Sequence, residues 1–490
     1  MRTLYISSDE GSFLCGAARI LHGQVFARDF FEVMGPGTFY WMAAFFKLFG
    51  VTFLAARICL FIPLLGTALT IYFLSRHVCI RYPALPCLIL GGPYFGLLGQ
   101  VESHHVDSNF FALLSIACLV LWHRSRRKSL VIAAGALAGI TTCFLQPKGI
   151  LLFCAILVWF CFQNRRISLS LPWIGLATGS YISIVALVLG YFWSQGGLRN
   201  LVYVNYIFPS QHYAAINSVV YAQGIIEGWM FWMSQQNGLN WPWGVAALFT
   251  APSLFIAALP VLLLVLGLRC KFRSQQTAIV LYTLGGTAIW LSELHRKDIH
   301  HLTYGSPLLV ILSIHLLGEI REKIIYVAVQ VLAICAVCLA IFSWLVATAI
   351  HSVPTRVGTV AAFGAGSASV LAFLNTHVQP GEDTFIYPYS PAYYFLSATA
   401  NPTPYSFLTY GYNTPSQFQE VVRILDQRRV RYVVWDTNFL SKTAEEVFSG
   451  SMPKSPRDLI IEPYLESHYR LIQDDHGIRI MERKREDNTK

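Results

Sequence analysis

Four short stretches of this 490-residue chain concentrate the side chains that can do chemistry. Asp9-Glu10 is an acidic pair near the start. Residues 100–109 read Gln-Val-Glu-Ser-His-His-Val-Asp-Ser-Asn and carry Glu102, His104, His105 and Asp107. Lys148 sits in Leu145-Gln146-Pro147-Lys148-Gly149. Residues 293–304 pack seven ionisable groups into twelve positions and add Tyr304; the seven are Glu293, His295, Arg296, Lys297, Asp298, His300 and His301. A carboxylate such as Asp9, Glu10 or Asp107 can take a proton from a hydroxyl. Lys, Arg and His gathered in one loop suit a phosphate, and Glu102, His104 and His105 are ligand types for a divalent ion.

Each stretch also has a plain structural reading. Ser7 or Ser8 can cap a helix whose first turn holds Asp9 and Glu10, where the helix dipole favours negative charge. Glu102, His104 and His105 can be a solvated loop tip. Lys148 can snorkel to headgroups. In the fourth stretch, Glu293 and Asp298 can neutralise Arg296 and Lys297.

The elements that hold these stretches are apolar. Hydrophobic residues make up 55% of the chain and charged residues 13%, with a mean hydropathy of +0.50; soluble domains carry about 25% charged residues. Runs approaching the roughly 20 apolar residues needed to cross a bilayer recur near 51–75, 83–99, 107–122, 129–145, 148–162, 171–192, 243–267, 275–293, 302–318 and 323–349. The expected fold is a polytopic, mainly α-helical bundle over residues 1–350, followed by a small α/β domain over 351–490. Residues 1–350 hold 22 basic and 11 acidic residues, and the tail 14 and 15. The positive charge therefore belongs to the membrane region, where anionic lipids account for it, and it gives no reason to expect a nucleic-acid partner.

Basic residues also set an orientation. Alternate loops, from Arg76 and Arg81 through to Arg321 and Lys323, hold 13 Lys and Arg, whereas the opposite loops hold only Lys148, Arg199, Arg296 and Lys297. By the positive-inside rule the first set is cytoplasmic. All four chemical stretches and the tail then lie outside. Ten spans with both ends outside call for an earlier first helix, and residues 1–5 read as the end of one.

Residues 6–50 are apolar but broken by polar groups, with short helices expected at 10–23 and 38–49 that suit a membrane interface. Asp9-Glu10, Ala17-Ala18, Ile20, Gly23-Gln24-Val25-Phe26-Ala27-Arg28-Asp29, Glu32, Gly35-Pro36, Tyr40-Trp41 and Lys47-Leu48-Phe49-Gly50 follow in order. This series resembles the first periplasmic loop of bacterial GT-C glycosyltransferases, the dolichyl-phosphate-mannose protein mannosyltransferase relatives that include the aminoarabinose transferases of lipid A. It departs from them with Phe26 in place of Tyr and Gly35-Pro36 in place of a Pro pair.

The resemblance implies a GT-C fold in the bacterial inner membrane and transfer of a sugar from a polyprenyl-phosphate donor to an extracytoplasmic lipid, glycan or protein. It makes Asp9 the general base, Glu10 its neighbour at the acceptor, and Asp107 the second acidic position. Lys148 and the segment with Arg296, Lys297, His300, His301 and Tyr304 become phosphate ligands. No cofactor is required by the pattern; a divalent ion on Glu102, His104 and His105 is the candidate. A transporter or flippase of lipid-linked sugars is the alternative, but no internal repeat is present and the middles of the spans are nearly free of charge.

Residues 194–242 hold many aromatics, among them Tyr203, Tyr206, Phe208, Trp229, Trp232 and Trp241, and read either as an interfacial belt or as a lid over a donor. The 11 cysteines all lie between Cys15 and Cys338 and read as buried free thiols. In the tail, helices at 366–376, 415–427 and 456–465 alternate with strands at 384–387, 431–436, 469–472 and 478–482. It has no Gly-rich phosphate loop and no expected catalytic residue.

Overall fold

The computed structural model describes residues 3–5, 9–78, 82–92, 94, 101–163, 167–213, 219–234, 242–269, 277–320, 323–349, 352–363, 366–440 and 458–485. Ser7, Ser8, Arg81, Arg165, Arg166, Trp241, Lys271, Arg273, Arg321 and positions 93 and 95–99 of the second expected span lie outside them.

Helices stand at all ten positions where apolar runs predict them. In chain order α1 is Asp9–Leu21, α2 Pro36–Phe49, α3 Phe53–Val78, α4 Leu85–Gly92, α5 His104–Ser125, α6 Lys128–Phe144, α7 Gln146–Gln163 and α8 Leu171–Ser194. Pro242–Arg269, Thr277–Glu293, Ile299–Gly305, Pro307–Glu319 and Lys323–Ala349 follow. Among the described residues, five are long and apolar enough to cross a membrane, or six if one bent pair counts as a single span. The 26 residues of α3 reach about 39 Å at about 1.5 Å per residue, enough for a hydrocarbon core about 30 Å thick. The 17 of α6 fall short of it. The expected span at 302–318 is not one straight helix, since Ile299–Gly305 and Pro307–Glu319 meet at 70°. Pro307 has no N–H to continue the first helix and opens the second.

Large apolar side chains cover the outside of the bundle. Leu187, Trp193 and Leu268 are among those exposed, and in α8 only 6% of the most apolar window is buried. A helix apolar all round and uncovered needs a non-aqueous solvent, so this is a multi-pass membrane protein. Gly135 and Gly139, four apart on α6, let α8 approach closely. A Cβ on Gly135 would lie 2.3 Å from the Ala177 carbonyl oxygen, and one on Gly139 3.0 Å from that of Tyr181.

The tail is an α/β domain, as its sequence alternation predicts. Strands β2 (Val353–Thr355) and β3 (Gly358–Phe363) belong to one sheet; β4 (Thr384–Tyr387), β5 (Tyr432–Asp436), β6 (Tyr469–Asp475) and β7 (Ile478–Arg483) form a second in the order β4-β5-β7-β6. The β4–β5 pair is parallel and the other two are antiparallel. Alternate residues face opposite ways. Ile386, Val434 and Ile480 join a core with Phe13, Phe39 and Phe46 of the first segment, while Phe385, Val433 and Met481 pack beneath Phe418 and Leu465.

The first segment and the tail therefore share one hydrophobic core. Residues Thr3–Tyr5, read from sequence as the end of a helix, instead form strand β1, parallel to β3. Every residue of α1 from Glu10 to Ala17 is buried, so this helix is enclosed between neighbours and does not lie with one face towards lipid as its amphipathic pattern suggested. The Arg19 guanidinium donates to the Thr403 carbonyl, and the Phe31 amide to that of Pro404.

Candidate functional site

The opening turns of α1, α3, α5 and α7 and the last turn of Thr277–Glu293 converge at one end of the bundle, and the polar groups link there one to the next.

Asp9 opens α1 with its side chain exposed. The Tyr389 hydroxyl, from the loop after β4, donates to Asp9 Oδ1 at 2.5 Å. Glu10, one residue on, is fully buried. Both its oxygens accept from the Arg57 guanidinium in the first turns of α3, and Oε1 also accepts the Glu102 amide at 3.1 Å. The Arg57 guanidinium lies over the Phe53 ring, 4.3 Å from its centroid. The acidic pair is thus divided, with Asp9 open and Glu10 committed to a buried ion pair that ties α1 to α3.

A second carboxylate pair follows. Asp107, buried in the first turn of α5, accepts from the Thr38 hydroxyl of α2 at 2.7 Å. Glu102 is fully buried beside it. Burial, and then the Asp107 and Glu10 carboxylates, push Glu102 well above the usual carboxylate range, as suits a partner that shares a proton with Asp107. Glu32 is a further buried carboxylate of this region. Burial is the main cause raising it to about 8; Ser406 and Arg19 oppose this, and Asp9 adds to it.

Lys148, in the first turn of α7, is fully buried. Its ammonium reaches Glu293 Oε1 at 2.7 Å, Ser108 Oγ at 2.9 Å and Asn109 Oδ1 at 2.6 Å. Two hydrogen bonds and an ion pair engage the ammonium, so the lysine is a strut within the bundle; it neither snorkels nor, in this arrangement, is open to a ligand. Glu293 Oε2 lies 2.8 Å from His105 Nδ1. The expected pairing of Glu293 with the basic loop beside it is corrected accordingly: its partners are Lys148 and His105. Asn109 donates on to the Tyr94 hydroxyl and to the Tyr304 carbonyl.

In the fourth stretch Asp298 caps Ile299–Gly305 through the His301 amide. It also accepts from Arg296 Nε at 2.7 Å and lies 2.8 Å from His301 Nδ1. The self-paired reading of this loop therefore holds for Arg296 and Asp298. Lys297 is half-buried, and its carbonyl accepts the Ala222 amide, latching the loop to residues 222–223. His300 is exposed. Tyr304 is buried and its ring stacks on His105 at 4.9 Å.

The divalent-ion candidates separate. Glu102 turns to Asp107, and the His104 ring packs at a tilt against His105, centroids 4.0 Å apart, with Nδ1 buried and without a hydrogen-bond partner among the described residues. His105, in contact with His104 on one side, also lies against His295 and His301. The three rings offer nitrogens within 4.8 Å of one another.

Arg57, Thr38 and Tyr389 were not singled out from sequence, and Glu32 and His295 were named there without a role of their own. Arg57 carries a signal, as a lone Arg inside an apolar run is costly unless paired. Nothing local marks Tyr389, because its partner is Asp9, 380 residues earlier. In the aromatic stretch, Asn205 donates to the Val33 and Met34 carbonyls, and Phe208 packs on Phe31 and Tyr412. These residues bridge the first segment and the tail.

No family model and no curated protein matches the sequence. Among solved structures, ArnT from Cupriavidus metallidurans bound to undecaprenyl phosphate is 10% identical, with a TM-score of 0.40 over 98% of this chain and 94% of that one. The same protein in the apo state gives 10% identity and a TM-score of 0.41 over 98% and 94%. At this identity and superposition score, neither carries a residue or a ligand over to this chain.

Proposed function

We propose that the chain is a membrane glycosyltransferase of GT-C type that moves a sugar from a polyprenyl-phosphate donor to an extracytoplasmic acceptor, with Asp9 as general base. What carries this reading is the treatment of the acidic pair: Glu10 is buried and neutralised, while Asp9 beside it is kept open and aimed by Tyr389. A base must reach the hydroxyl it deprotonates, and of the two only Asp9 is exposed. The likeness of residues 9–50 to the first loop of GT-C enzymes gives the same carboxylate the same role.

In this reading, the acceptor hydroxyl binds between α1 and the tail. Attack on the sugar's anomeric carbon breaks its bond to the donor phosphate, the hydroxyl proton passes to Asp9, and the lipid phosphate departs. Lys297, with Arg296 held beside it by Asp298, supplies the positive charge to receive it, and His300 can donate a hydrogen bond; Lys148 is engaged with Glu293. Asp107, buried against Thr38 and Glu102, acts by fixing α5 against α2. The tail supplies Tyr389 and so completes the site it covers.

The test is Asp9→Asn in the full-length protein. The variant should bind polyprenyl-phosphate lipid as the parent does and lose sugar transfer to extracytoplasmic acceptors, read by mass spectrometry of envelope glycolipids and glycoproteins. Transfer at the parent rate would overturn the assignment.

A further inference from the structure

We propose that His105, His295 and His301 form a binding site for Zn2+ or a similar divalent transition metal. The three come from two separate parts of the chain, the start of α5 and the segment between Thr277–Glu293 and Pro307–Glu319, and each offers a ring nitrogen within 4.8 Å of the other two. Tetrahedral zinc, with nitrogens about 2.0–2.1 Å from the metal and hence about 3.4 Å apart, would draw each one inward by under about 1 Å.

An independent observation concerns the other face of each ring. His105 Nδ1 lies 2.8 Å from Glu293 Oε2, and His301 Nδ1 lies 2.8 Å from Asp298 Oδ1. His295 Nδ1 lies 3.0 Å from the Ser292 carbonyl oxygen. An ionised carboxylate or a carbonyl can only accept, so in the neutral imidazole the proton belongs on Nδ1 and the lone pair on Nε2. His301 and His295 are therefore set in the tautomer that leaves Nε2 to a ligand, His301 by the carboxylate–histidine contact that orients metal ligands, while His105 has the Glu293 carboxylate beside it without hydrogen-bond geometry. A histidine cluster kept only for packing has no need of an oxygen within 3.0 Å of Nδ1 on every ring.

The chemistry of the donor set favours imidazole-binding metals over Mg2+ or Ca2+, which take oxygen ligands. Three protein ligands leave the fourth position of a tetrahedral ion for water or an anionic oxygen, the pattern of open zinc sites. The site differs from the one read in the sequence, as Glu102 and His104 are not part of it.

The experiment uses tag-free, full-length protein in detergent, stripped with chelator and titrated with Co2+ and then Zn2+. We expect one equivalent of Co2+ to bind with visible d–d bands that Zn2+ abolishes. His295 is the most exposed of the three, so His295→Ala disturbs the core least; it and His301→Ala should lower the affinity at least tenfold. His300→Ala should bind as the parent does. Asp298→Asn should weaken binding by about 10–100-fold, the usual effect of losing an orienting partner. Absence of saturable binding by the parent, or parent-like affinity in both His295→Ala and His301→Ala, would overturn the proposal. So would an equal loss in His300→Ala. Metal content is read without any transfer assay, so the result stands apart from the Asp9 reading.

Discussion

Lys148→Met is the sharpest test of how the site is held together. The lysine and Glu293 are both fully buried, with 2.7 Å between their charged atoms. Methionine keeps most of the apolar stem and deletes the charge. Removing one member of a buried pair leaves the other uncompensated and costs about 3–5 kcal/mol. Asn109 Oδ1 also loses its donor, at about 1–3 kcal/mol. Because His105 remains 2.8 Å from the glutamate, the total should fall towards the lower sum, about 4 kcal/mol. Glu293→Gln should cost a comparable amount by stranding the ammonium, whereas the double variant buries two neutral groups and should recover at least about 2 kcal/mol of the summed losses. Unfolding in mixed detergent micelles, followed by tryptophan fluorescence, gives all three values. A Lys148→Met protein within about 1 kcal/mol of the parent, or additive losses in the double variant, would refute the strut. It would return Lys148 to the role of an uncommitted phosphate ligand.

The acidity of Glu32 gives a pH dependence. Its carboxyl is held to about 8 against an ordinary 4.5, so between those values the fold keeps a proton that the unfolded chain releases. Stability from this group is complete below pH 4.5 and falls by about 1.4 kcal/mol per unit as pH rises towards 8. Glu32→Gln should flatten the decline in melting temperature between pH 5 and 8; an unchanged slope would show that the group is not buried as described. Tyr389→Phe removes a hydrogen bond to a carboxylate worth about 1.5–3 kcal/mol, and transfer should drop about 10–100-fold with lipid binding unaltered, so a parent-like rate would disconnect the tail from the site. Gly135→Val should separate α6 from α8 and lower the melting temperature, whereas Gly175→Ala, where an added Cβ meets nothing within 4 Å, should be neutral or stabilising by up to about 1 kcal/mol.

The bundle was legible because the bilayer imposes a single rule on every span. An apolar run long enough to cross it can hardly be anything but a helix, and a helix stands at each of the ten expected positions. The tail was legible from the alternation of short apolar strands with helix-length polar segments, as in Tyr432–Asp436 after Pro415–Gln427. What stayed hidden depends on contacts between distant segments. Thr3–Tyr5 has too few residues for a periodicity, and it becomes a strand only because β3 offers an edge 358 residues later. The helix pattern of α1 could not disclose that the tail would cover its polar face as well.

The same distinction explains the site. Residue type was enough to find the carboxylates and the basic loop, but not to tell which of two adjacent carboxylates is free to act. Asp9 and Glu10 are indistinguishable in charge and differ by one position on a helix, about 100° of rotation. That rotation sends Glu10 inward to Arg57 and the Glu102 amide, and leaves Asp9 at the open side, where Tyr389 can meet it. Arg57 escaped notice because it lies within an apolar run and so outside any loop count, although an arginine at such a place requires a partner. Its place calls for an acidic partner at the same end of the bundle, but only the fold shows that Glu10, and not Asp9 or Glu32, supplies it. The rule carries to Lys148 and Glu293 as well: at the end of an apolar helix, the charged residue that finds a buried partner is architecture, and the one left over is the candidate for chemistry.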